Sequence, residues 1–333
     1  MTESTLYDVI IIGAGPAGLA AGLYTSRDGY NTLLLEKNGL PGGQIMLTEH
    51  IENYPGYEKI GGFELVEKMK QQVLNFGAEI KANKAVTNIA KQEDGNLEVT
   101  CGAETFFAKS IVLTPGSDYR QLGLPGETEM RQAGKVSYCA TCDGAFYRDK
   151  EVITIGGGNT AVEDTLYLAT RFTKKTTILH RRNEFRAQQV LVDEMKEKSA
   201  EHNIEIKTPY SPIEIVPTED KSEIDHVKVK NNETGEIEEL KTDGVFVFVG
   251  MVPNTGWLKD IVKLDQSGYI EADPITMRTS TPGIFVAGDC RKDAPMQLAT
   301  ATADGVTAAM QLKEYFRDPS HWTEHEDHQK EGY

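Results

Sequence analysis

Cys139 and Cys142 stand with two residues between them in the run Cys139-Ala140-Thr141-Cys142, and Asp143 follows at once. Two thiols at that spacing at the start of a helix come within disulfide reach, and the helix dipole lowers the thiolate pKa of one of them. The competing chemistry is zinc, which needs four ligands. The chain has 4 cysteines, no second Cys-x-x-Cys and no histidine at ligand spacing, and Cys101 and Cys290 stand alone beside expected strand ends as packing residues. A redox disulfide is expected, and no metal site. A carboxylic acid directly after the pair can deliver a proton to a departing thiolate; Asp143-Gly144 is also a plain turn signal, and the two readings are compatible.

Two glycine loops carry a second chemistry. Gly13-Ala14-Gly15-Pro16-Ala17-Gly18 has the spacing that lets backbone N–H groups approach a dinucleotide pyrophosphate at the positive end of a following helix. Glu36, closing the next expected strand, would accept hydrogen bonds from an adenosine ribose, and its charge disfavours a 2'-phosphate. The first loop is therefore expected to hold FAD or NAD rather than NADP. In the second loop Gly156, Gly158 and Ala161 keep the spacing, but His180-Arg181-Arg182, with Arg186 four residues further on, replace the carboxylate. Guanidinium forks match phosphate geometry, which favours NADP there; the alternative is a solvated basic patch on a turn. Thr114-Pro115-Gly116 and Gly288-Asp289 each cap an expected buried strand, where open α/β sheets place ligands, and Asp289 offers an acceptor to flavin ribityl hydroxyls. Each is also an ordinary turn signal, as is Pro41-Gly42-Gly43-Gln44.

These groups need elements to hold them. Residues 7–12 form a nearly continuous apolar run of the kind a strand buried on both faces requires, helix formers follow over 19–26, and 31–35 reads as a second buried strand. The same βαβ design recurs with a strand at 151–155, a helix to 170 and a strand at 176–180. Two such units so far apart imply two nucleotide-binding domains in an α/β chain. Between them lie a helix over 62–76, a hairpin over 85–99 around Asp94-Gly95, and a buried strand at 110–114. Short strands are expected near 204–207, 224–230 and 244–249, a buried strand at 284–287, and a last helix over 297–316. The tail from Arg317 to Tyr333 is polar, yet it carries Trp322 and Tyr333, which a wholly solvated tail would not need.

The charge balance narrows the partners. With 35 basic against 51 acidic residues the chain carries a formal −16, a field that repels a phosphate backbone, so nucleic acid is not an expected partner. No apolar run reaches membrane-spanning length, and Met1-Thr2-Glu3-Ser4 lacks the basic start of a signal peptide. A soluble, cytoplasmic protein is expected.

In their order along the chain, Gly13 to Gly18, Gly42-Gly43-Gln44, Asn53-Tyr54-Pro55-Gly56, Cys139 to Asp143, Gly156-Gly157-Gly158-Asn159-Thr160-Ala161, His180-Arg181-Arg182 with Phe185-Arg186-Ala187, and Gly288-Asp289 resemble the low-molecular-weight thioredoxin reductases over about residues 6 to 316. The resemblance implies an FAD-containing homodimer with two Rossmann-like domains. A discontinuous FAD domain (1–119 and 249–316) would enclose an NADPH domain (120–248) that carries the cysteine pair, with 317–333 as a tail. It implies that Pro16, Ala17, Gly43, Gln44, Asn53, Thr114, Gly116, Gln297 and Leu298 join the first loop in holding FAD. Asn159 and Thr160 would join Gly156, Gly158 and the arginines in holding NADPH. Cys142 would be the flavin-proximal sulfur, Cys139 the one that attacks the disulfide of thioredoxin or a thioredoxin-like protein, and Asp143 the acid. Two departures stand out: Pro295-Met296-Gln297 occupies the place of the family's Arg-Gln beside the flavin, and the tail extends the usual end. The alternative reading keeps the dithiol but takes electrons from ferredoxin, or passes them to oxygen as a dithiol oxidase. NADPH comes first because Gly158, Arg181, Arg182 and Arg186 are all retained.

Overall fold

The computed structural model describes residues 5–48, 51–320 and 322. Residues up to Asp118 and from Val252 onward form one compact unit, and Tyr119–Met251 form another.

In the first unit the apolar run at the chain's start is strand Leu6–Ile12, whose successive side chains feed two different cores. Val9 and Ile11 face one way with Leu34, Val112 and Phe285, while Ile10 and Ile12 face the other with Leu33, Leu113 and Val286. This is why the run reads as continuous rather than alternating. The sheet has seven strands, ordered Glu79–Lys81, Thr32–Leu35, Leu6–Ile12, Glu104–Leu113, Leu97–Cys101 and Asn88–Lys91, with Ile284–Val286 also paired to Glu104–Leu113. Parallel register sets Ile12 beside Leu35 and Leu113, and Val286 beside Leu113, so four strands end together at one edge. Helices Pro16–Arg27 and Leu298–Arg317 cover one face and approach so closely that a Cβ on Gly305 would collide with the Ala17 carbonyl. Trp322 closes that core, with its ring centroid 5.1 Å from Phe285 and 5.3 Å from Tyr315, and the Arg278 guanidinium 5.5 Å from it. Tyr333 lies outside the described residues.

The second unit is built on five parallel strands, ordered Ile204–Lys207, Lys175–Leu179, Glu151–Gly156, Gly244–Phe248 and Val136–Ser137. An antiparallel meander, Tyr210–Pro217, Ile224–Asn231 and Ile237–Leu240, adds a second layer. Both units are thus α/β with Rossmann-like sheets, wholly parallel in the second and parallel in the first apart from Leu97–Cys101 and Asn88–Lys91, which pair antiparallel. Among the described residues no helix is long and apolar enough to cross a membrane.

Candidate active site

Strand Val136–Ser137 delivers Cys139 to the N-cap of a single helical turn, Ala140–Asp143. Cys139 and Cys142 are joined in a disulfide, with 5.3 Å between their Cα atoms. Cys142 is exposed and Cys139 partly buried. The Cys142 N–H donates to Cys139 Sγ at 3.2 Å, and Thr141 Oγ1 lies 3.4 Å from the same sulfur. The helix expected here runs for one turn before a 3-10 turn, Gly144–Tyr147, replaces it. So short an element sums little dipole, and the local stabilisation of that sulfur comes from the N–H aimed at it. Gly144 lets this segment lie on helix Asn159–Arg171, because a Cβ there would come within 2.9 Å of Leu168. Asp143 Oδ2 accepts from the Ser137 hydroxyl at 2.6 Å. Burial pushes the Asp143 carboxyl above the usual range, and the Ser137 bond draws it partly back.

The second glycine loop belongs to the same unit. A Cβ on Gly156 would meet the Phe248 carbonyl and one on Gly157 would enter the His180 ring, whereas Gly158 has nothing within 4 Å. The first two are glycines for packing, and Gly158 leaves its backbone accessible at the start of helix Asn159–Arg171, whose first residues are Asn159 and Thr160. Arg186 and Ala187 donate their backbone N–H groups to the Gly157 carbonyl at 2.7 and 3.1 Å, and Asn159 Oδ1 accepts from Gln188 N–H at 2.8 Å. The segment carrying the arginines is thereby fastened to the loop. His180 stacks on Phe185 and contacts the Glu184 carbonyl through Nε2 at 3.0 Å. Burial lowers its pKa, the Glu184 bond opposes that, and the charges of Arg186, Arg181 and Arg182 lower it further. Arg181, Arg182 and Arg186 are exposed, and none is paired with a carboxylate among the described residues.

In the first unit, the ends of the four aligned strands gather most of the remaining candidates. Thr114 donates its hydroxyl to the Gly13 carbonyl at 2.8 Å, Gly42 N–H donates to the Ala14 carbonyl at 2.8 Å, and Gly43 Cα lies 4.0 Å from a Cβ built on Gly15. Pro16 opens the following helix, and Ala17 packs beside Gly288. Cβ atoms on Gly13 and Gly18 would strike the Thr114 and Gly13 carbonyls, while Gly116 (φ +67°) has open space around it. Gln44 Nε2 donates to the Ser117 carbonyl. Asn53 Nδ2 lies 3.4 Å from Gln297 Oε1, and Gln297 caps the helix on which Leu298 is the first residue. Met296 takes a left-handed conformation (φ +55°) just before that cap. Glu36 is 4% exposed, and its two oxygens accept from Ala14 N–H at 2.9 Å and Asn38 N–H at 2.8 Å. It braces the loop, and a carboxylate has further lone pairs beyond these two bonds.

The Gly288-Asp289 turn has a support that sequence reasoning did not single out. Asp304, on helix Leu298–Arg317, accepts from Gly288 N–H at 3.1 Å and from Arg291 Nε and Nη2 at 2.7 and 3.1 Å. Burial, and then the Asp304 charge, push Asp289 up to about 6, with Arg291 opposing. Ser137 was missed too, as was Glu127, whose buried carboxylate takes the Leu122, Gly123 and Leu124 N–H groups and the Tyr138 hydroxyl. The signal for Asp304 was a lone acid within the uncharged, mostly small-residue stretch 298–310 of its helix; Ser137 had none.

A family model described as pyridine nucleotide-disulphide oxidoreductase matches residues 7–305. The thioredoxin reductase of Bacillus subtilis (strain 168) is 41% identical over 320 residues, covering 96% of this chain and 97% of the relative. That of Treponema pallidum (strain Nichols) is 43% identical over 316 residues, covering 93% and 97%. The crystal structure of thioredoxin reductase from Streptococcus pyogenes MGAS5005 superposes with a TM-score of 0.86 at 38% identity, over 95% of this chain and 99% of that one.

Proposed function

The chain belongs to the pyridine nucleotide-disulphide oxidoreductase family, and from that premise we propose that it is a thioredoxin-disulfide reductase working through Cys139 and Cys142. The observation that carries the reading is the Cys139–Cys142 disulfide, exposed at Cys142 and followed directly by the raised carboxyl of Asp143. A flavin and a nicotinamide cofactor go with the family. We assign FAD to the first loop, Glu36 and the Gly288-Asp289 turn, and NADPH to the second loop with Arg181, Arg182 and Arg186. The open backbone at Gly116 and Gly158, and three guanidiniums without acid partners among the described residues, fit those ligands. The retained arginines leave the ferredoxin-donor alternative without a supporting observation. Two buried free thiols, Cys101 and Cys290, suit a reducing cytoplasm, and the resemblance supports a homodimer.

When bound, the two cofactors supply the electron pair that reduces the disulfide. Its cleavage leaves two sulfurs of unequal surroundings: Cys139, which accepts the Cys142 N–H, and Cys142, next to Asp143 in the chain. Asp143 gives its proton to the Cys142 sulfur, which leaves Cys139 as the thiolate. The Cys139 thiolate then attacks one sulfur of the thioredoxin disulfide, forming a mixed disulfide and releasing the other partner sulfur as thiolate. The Asp143 carboxylate takes the proton back from Cys142, whose sulfur attacks Cys139 Sγ, restores the internal disulfide and releases the second partner thiolate; two electrons have moved to the partner.

Cys142→Ser tests this. The variant should still bleach its flavin with NADPH under anaerobic conditions while thioredoxin reduction is lost. Thioredoxin reduction at the wild-type rate would overturn the assignment.

A further inference from the structure

We propose that Ser137 is a positioning residue for the acid: its hydroxyl engages Oδ2 of Asp143 and ties that carboxyl to the main chain of Cys139, leaving Oδ1 to carry the transferable proton. The proposal rests on the reading of Asp143 as the acid. Three hydrogen bonds close a ring. Ser137 Oγ donates to Asp143 Oδ2 at 2.6 Å, Cys139 N–H donates to Ser137 Oγ at 3.1 Å, and Asp143 N–H donates to the Cys139 carbonyl at 3.1 Å. Both main-chain groups of the attacking cysteine are thus tied to the acid, one directly and one through the serine.

A serine hydroxyl has one proton to give and two lone pairs. The other acceptor in its reach, the Cys139 carbonyl, lies at 3.4 Å, so the proton goes to Asp143. Oδ2 is then an acceptor whether Asp143 is charged or neutral, and a proton taken up by the carboxyl resides on Oδ1. Ser137 is only 5% exposed, which keeps water from substituting for it, and its strand is fixed in register by the pairing of Ser137 with Phe246. Asp143 is governed by burial, upward, and by Ser137, downward. The titratable groups around it are few. Tyr147 follows on the next turn, its phenol raised by burial and by the charges of Asp143, Glu223 and Asp243. Glu163 and Asp164 lie on the helix packed against the turn, and burial with the Glu163 charge raises Asp164 to about 6.

The test compares S137A, S137T and D143N in the holoenzyme. The Asp143 carboxyl is titrated by NMR of protein labelled with ¹³C in aspartate side chains, its signal assigned by its absence in D143N and so separated from Asp164. In parallel, thioredoxin reduction is followed against pH. A hydrogen bond to a carboxylate favours the charged form, so S137A should raise the Asp143 titration midpoint. The alkaline limb of the rate profile should move to higher pH, where the variant keeps about tenfold more of its own maximal rate than wild type does, while the maximum falls. S137T, which retains the hydroxyl, should restore midpoint and limb. If S137A does not accumulate as folded protein, S137G supplies the hydroxyl-free comparison. An Asp143 midpoint unchanged in the hydroxyl-free variant, or not restored in S137T, overturns the proposal. D143N with wild-type rate and an unmoved limb would instead overturn the role of Asp143, a failure the NMR titration separates from that of Ser137.

Discussion

Asp289→Asn should make the flavin-free protein more stable at neutral pH and bind flavin more weakly. Asp289 sits in the turn after strand Ile284–Val286, where burial and the neighbouring Asp304 charge move its carboxyl from 3.8 to about 6. At 1.36 kcal/mol per pH unit, that displacement disfavours the ionised group in the folded protein by about 3 kcal/mol. The sign follows from proton counting. Between 3.8 and about 6 the folded protein holds a proton that the unfolded chain has released, so stability falls as pH rises through that window and stays lowered above it. A neutral amide removes the charge but still needs hydrogen-bond partners, which reduces the expected gain to about 1–2 kcal/mol at pH 7.5. The assay is urea unfolding of flavin-stripped wild type and variant, followed by circular dichroism. The variant's advantage should vanish or reverse as pH drops from about 7.5 to 4.5, a change of about 2 kcal/mol, because the wild type then regains its proton. Flavin affinity should fall about tenfold, since a carboxylate acceptor gives way to a neutral one. A variant less stable at pH 7.5, or an advantage independent of pH, would refute the reasoning.

Replacing Arg181 and Arg182 with alanine should cost NADPH about 1.5–3 kcal/mol per charge-assisted bond, or roughly tenfold or more each, measured as the ratio of kcat/KM for NADPH over NADH. An unchanged ratio would remove these residues from coenzyme selection. Trp322→Ala deletes the ring packed on Phe285 and Tyr315 and should lower stability by about 3–5 kcal/mol in thermal or urea unfolding, with kcat for thioredoxin little changed. A loss below about 1 kcal/mol would mean that the ring adds nothing to this core.

Elements whose fold follows from local pattern were legible. Strands Leu6–Ile12 and Glu151–Gly156 announce themselves because a strand buried on both faces has no polar alternation to disguise it, and Asp94-Gly95 marks its hairpin turn. The last helix, Leu298–Arg317, falls within one residue of the expected 297–316. The glycine spacing marked the two loops, but not which of their glycines pack against the fold and which stay open. Gly157 and Gly158 look alike in sequence, and only the His180 ring under the one and the open space beside the other separate them. What stayed hidden are contacts between distant residues: Asp304 reaching Gly288 and Arg291, Ser137 reaching across the turn to Asp143, and Glu127 gathering three backbone N–H groups. A polar residue's partner depends on how elements pack, and local spacing does not encode that.

The two glycine loops share a motif and differ in what braces them, and in the first the brace is also the residue expected to read the ligand. In the first, Glu36 holds the loop through Ala14 N–H and the outgoing chain through Asn38 N–H. In the second, no carboxylate among the described residues does this; the His180 ring fills the space under Gly157, and the backbone N–H groups of Arg186 and Ala187 hold its carbonyl. Replacing Glu36 with arginine would therefore not simply exchange a ribose acceptor for a phosphate donor. It would leave the Ala14 and Asn38 N–H groups without their acceptor and put a second set of donors in a site that is 4% exposed, a cost of about 1–3 kcal/mol for each orphaned group before any ligand is considered. At the first loop the residue assigned to the ribose is thus one that the fold itself requires, so changing it demands a new brace as well as a new charge.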